Sequence, residues 1–249
     1  MLERLAREER SLDNLIEQLG RRDTLSQEER QALRNILEPT RIVPCGSDLL
    51  REGDRPSHST LLTSGFTARY VTLLDGGRQI TELNIAGDFI DLHSFVMKTM
   101  DHGVQALTEC TVAAAPHEAL RTLSESHPHL MRLLWLDTVI DAAIYRQWIA
   151  SMGRRTGVAH LAHLICELYT RLEVVNLARN LMFELPLSQM VLADVLGLST
   201  VHVNRLIAEL RAMALLTWNQ NHIEILAWEQ LVTLAEFNPV YLRLQREAV

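Results

Sequence analysis

The stretch QMVLADVLGLSTVHVNRLIAEL, Gln189 to Leu210, constrains the fold more than any other part of the sequence. Ser188 stands where it caps a first helix whose inward positions are Leu192, Ala193 and Leu196. The small Ala193 lets a second helix cross closely. Gly197 sits at the corner, where left-handed dihedrals are wanted and a side chain would clash. Leu198 plugs that corner, and Ser199 caps the second helix, whose inward face is Val203, Leu206, Ile207 and Leu210. This pattern predicts a helix-turn-helix. Thr200, Val201, Asn204 and Arg205 are left pointing outward near the start of the second helix, with His202 to one side. In helix-turn-helix proteins that end enters the major groove. Arg205 can hold a guanine edge bidentately, Asn204 an adenine, and Val201 or the Thr200 methyl a thymine methyl. Ser188 and Gln189 suit phosphate contacts. The candidate interface is therefore Ser188, Gln189, Ser199, Thr200, Val201, His202, Asn204 and Arg205, and the partner expected is double-stranded DNA.

The overall charge runs against that expectation, since the 249 residues carry 24 Lys+Arg and 31 Asp+Glu, a net charge of -7. Its distribution matters more. From Arg154 onward there are 8 basic and 9 acidic residues, while the first 153 hold 16 and 22. The C-terminal third is nearly neutral, which weakens charge-driven, nonspecific binding but leaves room for a small local face. With 47% hydrophobic and 22% charged residues the chain is globular, enough for one large or two modest domains. No apolar run approaches the roughly 18 residues that cross a bilayer. The start, MLERLAREERSLDNLIEQL, is charged and amphipathic without a signal-peptide core, so a cytoplasmic protein with no membrane partner is expected. Cys45, Cys110 and Cys166 are far apart and form no CxxC, which predicts buried free thiols rather than a disulfide framework or an iron–sulfur site.

Along the chain, the first forty residues read as two helices, the first carried by Leu12, Leu15, Ile16 and Leu19. The second opens on the capping box SQEE, Ser26 to Glu29. From Arg41 to about Ala115, strand-like runs (FTARYVTLL, QITELNI, TVAAA) alternate with turn signals (PCGSD, REGDRP, TSG, DGG, AGD) at the spacing of an antiparallel roll or barrel. LLDGGRQI is a hairpin in which Gly76 and Gly77 supply positive φ. From about His127 to Met152 runs one long helix. Its stripe Leu133, Leu136, Ile140, Ala143 and Ile144 is widened by Leu134, Trp135, Val139, Trp148 and Ile149. A helix apolar on two faces must bury both, so the first stripe is assigned to pairing with a second copy. Gly153, followed by Arg154 and Arg155, breaks the pattern. A further helix, the helix-turn-helix, a hairpin turning at Asn219 to Asn221 and a last helix near Trp228 make a winged-helix domain.

At this level of detail the chain resembles the CRP/FNR family of bacterial transcription regulators over nearly its whole length. EGDRP, LLTSGFTARY, DGGRQI and IAGDFIDL stand where that family's effector roll carries its turn glycines, and LPLSQMVLADVLGLSTVHVNRLIAELRAMALL resembles its DNA-binding signature. The resemblance implies an α+β fold. An N-terminal antiparallel β-roll (double-stranded β-helix or jelly-roll-like) with flanking helices spans 1–126, a dimerisation helix 127–153 and a winged helix-turn-helix 154–249. It implies a homodimer acting on a near-palindromic operator, with RNA polymerase as a further partner if the chain activates. Departures from the family's cAMP-binding members are also visible. Their Gly-Glu-Leu segment reads Asp91-Leu92-His93 here, and their Arg-Ser pair falls near Met100-Asp101, which cannot neutralise a buried phosphate. The N-terminal cysteine cluster of the oxygen-sensing members is absent, and Thr200 and Val201 replace an Arg and a Glu of the cAMP-responsive recognition helix, so the operator differs.

Other constellations carry less. His160, His163 and Cys166 recur at three-residue spacing among Leu and Ile, which predicts core packing rather than a metal site. His58, His93, His102 and His117 lie in the sensor half, and no spacing singles one out as a haem ligand. There is no Gly-rich phosphate loop, no GxSxG and no HExxH, so no catalytic residue, metal or cofactor is expected. The competing reading is a sensing module, for haem, a nucleotide or another small ligand, that works mainly through protein–protein contact.

Overall fold

A computed structural model describes residues 13–247, which divide into two compact units. The first gathers residues up to 71, 83–141 and those from 243 onward; the second gathers 72–82 and 142–242. The tip of one hairpin, residues 72–82, is grouped with the C-terminal residues, and the long helix is divided between residues 141 and 142.

In the first unit, helix α1 (residues 13–22) buries Leu15, Ile16 and Leu19, and α2 (Gln27–Ile36) buries Leu33. Leu12 lies outside the described residues. The capping box is complete: Glu29 N–H donates to Ser26 Oγ at 3.1 Å, and Ser26 N–H to Glu29 Oε2 at 2.8 Å. The roll follows in seven strands: β1 (Arg41–Val43), β2 (Asp48–Leu50), β3 (His58–Ser64), β4 (Thr67–Thr72), β5 (Arg78–Asn84), β6 (Gly103–Ala106) and β7 (Cys110–Pro116), with the short helix α3 (Ser94–Met97) between β5 and β6. They form a three-stranded sheet in the order β1-β7-β3 and a four-stranded sheet in the order β2-β6-β4-β5. One apolar cluster draws on both sheets, with Val43, Leu62 and Val112 from the first and Leu50, Val104 and Ala106 from the second. Two sheets closed on a shared core are the roll that the turn spacing predicted. In the β4–β5 hairpin only Gly76 takes a positive φ, +85°; the amide of Gly77 is instead held by Asp75 Oδ1 at 2.9 Å. Cys110 and Cys166 are buried, but Cys45 is exposed, because it lies in the turn between β1 and β2 rather than on a strand's inner face.

Helix α4 (His117–Ser126) leads to α5 (Pro128–Arg154), 27 residues and about 40 Å long at 1.5 Å per residue. Gly153 does not end it. Nothing lies within 4 Å of where its side chain would be, and the break comes at Thr156, whose Oγ accepts from Ala159 N–H to start the next helix. The two apolar faces of α5 are divided differently from the sequence-based assignment. Leu133, Ile140 and Ile144 are buried in their own chain, and Leu136 and Ala143 are half-buried. The large apolar side chains left exposed are Trp135, Val139 (57%), Ile149 (64%) and Met152. Periodicity alone could not say which stripe met the chain's own core, since both are apolar at helical spacing.

In the second unit, α6 (Gly157–Val174) is a central helix buried almost all round, and His160, His163 and Cys166 are core residues as expected. Its Glu167 is fully buried and accepts from Trp148 Nε1 at 3.1 Å and Tyr241 OH at 2.6 Å, with Arg171 3.7 Å away. Burial pushes that carboxyl above its ordinary range against the pull of Arg171. Around α6 lie β8 (Ala178–Arg179), β9 (Met182–Glu184), α7 (Gln189–Leu196), α8 (Thr200–Ala212), β10 (Leu216–Asn219), β11 (His222–Ile225) and α9 (Trp228–Ala235), followed by a 3-10 turn over Pro239–Leu242. The strands form one antiparallel sheet in the order β10-β11-β9-β8. The wing hairpin pairs Asn219 with His222, so its turn is Gln220-Asn221, with Gln220 at φ +53°. No single helix among the described residues is long and apolar enough to cross a membrane.

Candidate nucleic-acid interface

Helices α7 and α8 are bent by 95° across Gly197, which caps α7 at φ +64° and ψ +35°. A β-branched or bulky residue is strained there, which is why the corner carries a glycine. Both helices open on a serine cap: Ser188 Oγ accepts from Val191 N–H at 3.2 Å and Ser199 Oγ from His202 N–H at 3.3 Å. The inward sides interlock as the sequence indicated. Leu192, Ala193, Val195 and Leu196 of α7 are buried, as are Val203, Leu206 and Leu210 of α8; Ile207 and Leu198 are only half-buried.

The other side of α8 is open. Thr200, Val201 (78%), Asn204 and Arg205 are exposed, His202 is half-buried, and Ser188, Gln189 and Ser199 are exposed at the two helix starts. All eight candidate residues thus lie on the two N-terminal turns of one hinged pair. Arg205 Nη2 sits 3.1 Å from His202 Nε2. A guanidinium has only donors, so in this contact Arg205 donates and His202 Nε2 accepts. His202 is itself confined from behind: a side chain on Gly157 would meet its Nε2 at 3.3 Å and Leu206 at 3.1 Å. The result is a guanidinium fork braced by a neighbouring ring, with its remaining N–H groups facing solvent. Apart from Arg205, the basic residue of α8 is Arg211, which lies in its last turn. Basic charge on α8 is therefore sparse.

One contribution was not visible in the sequence. Arg78 Nε and Nη2 hold Asp194 Oδ2 at 2.8 and 2.6 Å. Gln79 Nε2 donates to the carbonyls of Asp194 and Val195 at 2.8 and 3.2 Å. The hairpin arm thus neutralises the acidic residue of α7 and satisfies carbonyls that the end of a helix leaves unpaired. A separation of 115 residues in sequence gives no periodic signal for such a contact.

The profile of the Crp-like helix-turn-helix domain matches residues 159–234, and that of the cyclic nucleotide-binding domain matches residues 40–127. A probable transcriptional activator of Rhizobium leguminosarum is 27% identical over 176 residues, which cover 71% of this chain and 72% of that protein. The fumarate and nitrate reduction regulatory protein of Vibrio cholerae is 26% identical over 216 residues, 85% of this chain and 84% of its own. Among solved structures, FixK2 from Bradyrhizobium japonicum superposes with a TM-score of 0.73 at 21% identity, over 80% of this chain and 97% of that one, a likeness of fold.

Proposed function

This chain belongs to the CRP/FNR family of DNA-binding transcription regulators, and from that premise we propose that it works as a cytoplasmic homodimer on a near-palindromic operator. The observation that carries the reading is the division of α8: one side buried in its own unit, the other offering Thr200, Val201, Asn204 and Arg205 to solvent. A helix exposed in this way fits the major groove N-terminus first, and the amides at the starts of α7 and α8 face phosphates. Arg205 is assigned to a guanine edge and Asn204 to an adenine. Ser188, Gln189 and Ser199 fix register on the backbone.

Pairing of the protomers is assigned to the exposed apolar residues of α5, not to the buried Leu133, Ile140 and Ile144. Trp135, Val139 and the half-buried Ala142, then Ile149 and Met152, are separated by 4, 3, 7 and 3 residues, the spacing of a two-stranded helical seam. Two-fold pairing places half-sites about 34 Å apart. A relative described as a probable transcriptional activator supports RNA polymerase as a further partner. No catalytic step is part of this reading.

Gel-shift titration at two salt concentrations tests it. The expected result is a complex that prefers some sequences over random DNA and weakens as salt rises. In sedimentation, Val139→Glu combined with Ile149→Glu gives monomers with an unchanged circular-dichroism spectrum. A protein that shifts no DNA at micromolar concentration contradicts the proposal and favours output through protein–protein contact.

A further inference from the structure

His93 directly precedes α3, and Asp101 and His102 lead into β6; the roll brings the three together. Each offers one donor atom, and the three atoms lie within 4.8 Å of one another. The two imidazole rings have centroids 5.0 Å apart with planes inclined by 34°. Asp101 Oδ1 lies 2.7 Å from His102 Nδ1. His93 Nε2 is shut off from solvent and has no hydrogen-bond partner. A buried polar atom left in that condition costs about 1–3 kcal/mol and calls for a physical reason.

The cluster presents two imidazoles and one carboxylate. Imidazole with carboxylate suits first-row transition ions better than the all-oxygen sites of calcium or magnesium. Arg69, the nearby cation, is itself paired with Asp141 at 2.9 Å and donates to the carbonyls of Ile90 and Phe89, which spreads its charge.

We propose that His93, Asp101 and His102 form a binding site for a divalent first-row transition-metal ion inside the roll. Three protein ligands leave one position open, as in exchangeable rather than structural sites. Around a tetrahedral ion with bonds of about 2.1 Å the donors lie roughly 3.4 Å apart, so separations within 4.8 Å close by at most about 1.4 Å. Asp101 is exposed and free to supply that movement. The ion accounts for the solitary Nε2 of His93, which no protein group satisfies.

The test uses full-length protein stripped with a chelating resin and titrated with Co2+, whose ligand-field bands report the coordination, followed by displacement with Zn2+. One ion per chain is expected, with bands indicating nitrogen and oxygen donors. His93→Ala and His102→Ala abolish uptake. Asp101→Asn, at an exposed position that leaves the apo melting temperature unchanged, weakens it at least tenfold. No uptake by the wild type overturns the proposal. So does wild-type affinity in Asp101→Asn and His93→Ala, which locates the ion at surface groups such as Cys45 or the His222–Glu184 pair.

Discussion

The exposed side of α8 and the interior of the roll are built by opposite means. On α8 the candidate interface residues fall within six consecutive positions, aimed by a serine cap, a glycine hinge and three buried hydrophobics of the same short segment. In the roll, chemistry comes from residues that only the closed sheets bring together: Arg69 of β4 reaching Asp141 of α5, and His93 meeting Asp101 and His102. A locally encoded surface loses function without losing fold when one of its residues changes. A non-locally assembled interior loses fold first.

That contrast orders the expected effects. Arg69 is buried, pairs with Asp141 and donates to two carbonyls, so Arg69→Met removes the cation facing that carboxylate and the donors to both carbonyls. Breaking such a pair costs about 3–5 kcal/mol, which urea unfolding will read, and a loss below about 1 kcal/mol breaks the claim that the roll depends on it. In the other unit Leu206 lies on the buried side of α8, and Leu206→Ala is expected to cost about 2–5 kcal/mol through the cavity it leaves. Ser199→Ala removes one cap hydrogen bond and is expected to cost about 1 kcal/mol, read as a modest fall in melting temperature.

The smallest effect is a pH dependence. His129 lies 2.5 Å from Glu29 and 3.3 Å from Asp23. Its hydrogen bond to Glu29 raises its pKa against the pull of burial, with Asp23 adding to the rise. A raised folded pKa means that this contribution is full below the unfolded value near 6.5 and is lost as pH climbs through the folded one. Stability should therefore decline from about pH 6.5 upward. His129→Gln should flatten that decline, by less than about 1 kcal/mol because the site is partly solvated. An unchanged profile in the variant removes His129 as the cause.

The same contrast explains what was legible in the sequence. The helix-turn-helix was, because Ser188, Gly197 and Ser199 are local signals and Val203, Leu206 and Leu210 follow one helical period. The roll was legible as a class, since turn residues mark strand ends. Its ligand cluster was not, because His93 and His102 stand in different local structures and no period links them. The two stripes of α5 were visible, but not which one the chain buries, because that depends on what packs beside the helix. The β8–β9 hairpin was hidden for another reason: its turn uses Asn180 and Leu181 at φ +53° and +62°, and leucine is a poor marker of such a turn.

The central claim is that α8 reads base edges through Arg205 and its neighbours. The most direct test selects bound fragments from random-sequence DNA with the wild type and with Arg205→Ala in parallel. The account predicts a near-palindromic motif for the wild type, and the same motif for the variant with preference lost at one position of each half-site, worth about 1–3 kcal/mol per contact. Identical motifs from the two proteins, or an equal loss of binding to specific and random DNA, would contradict it.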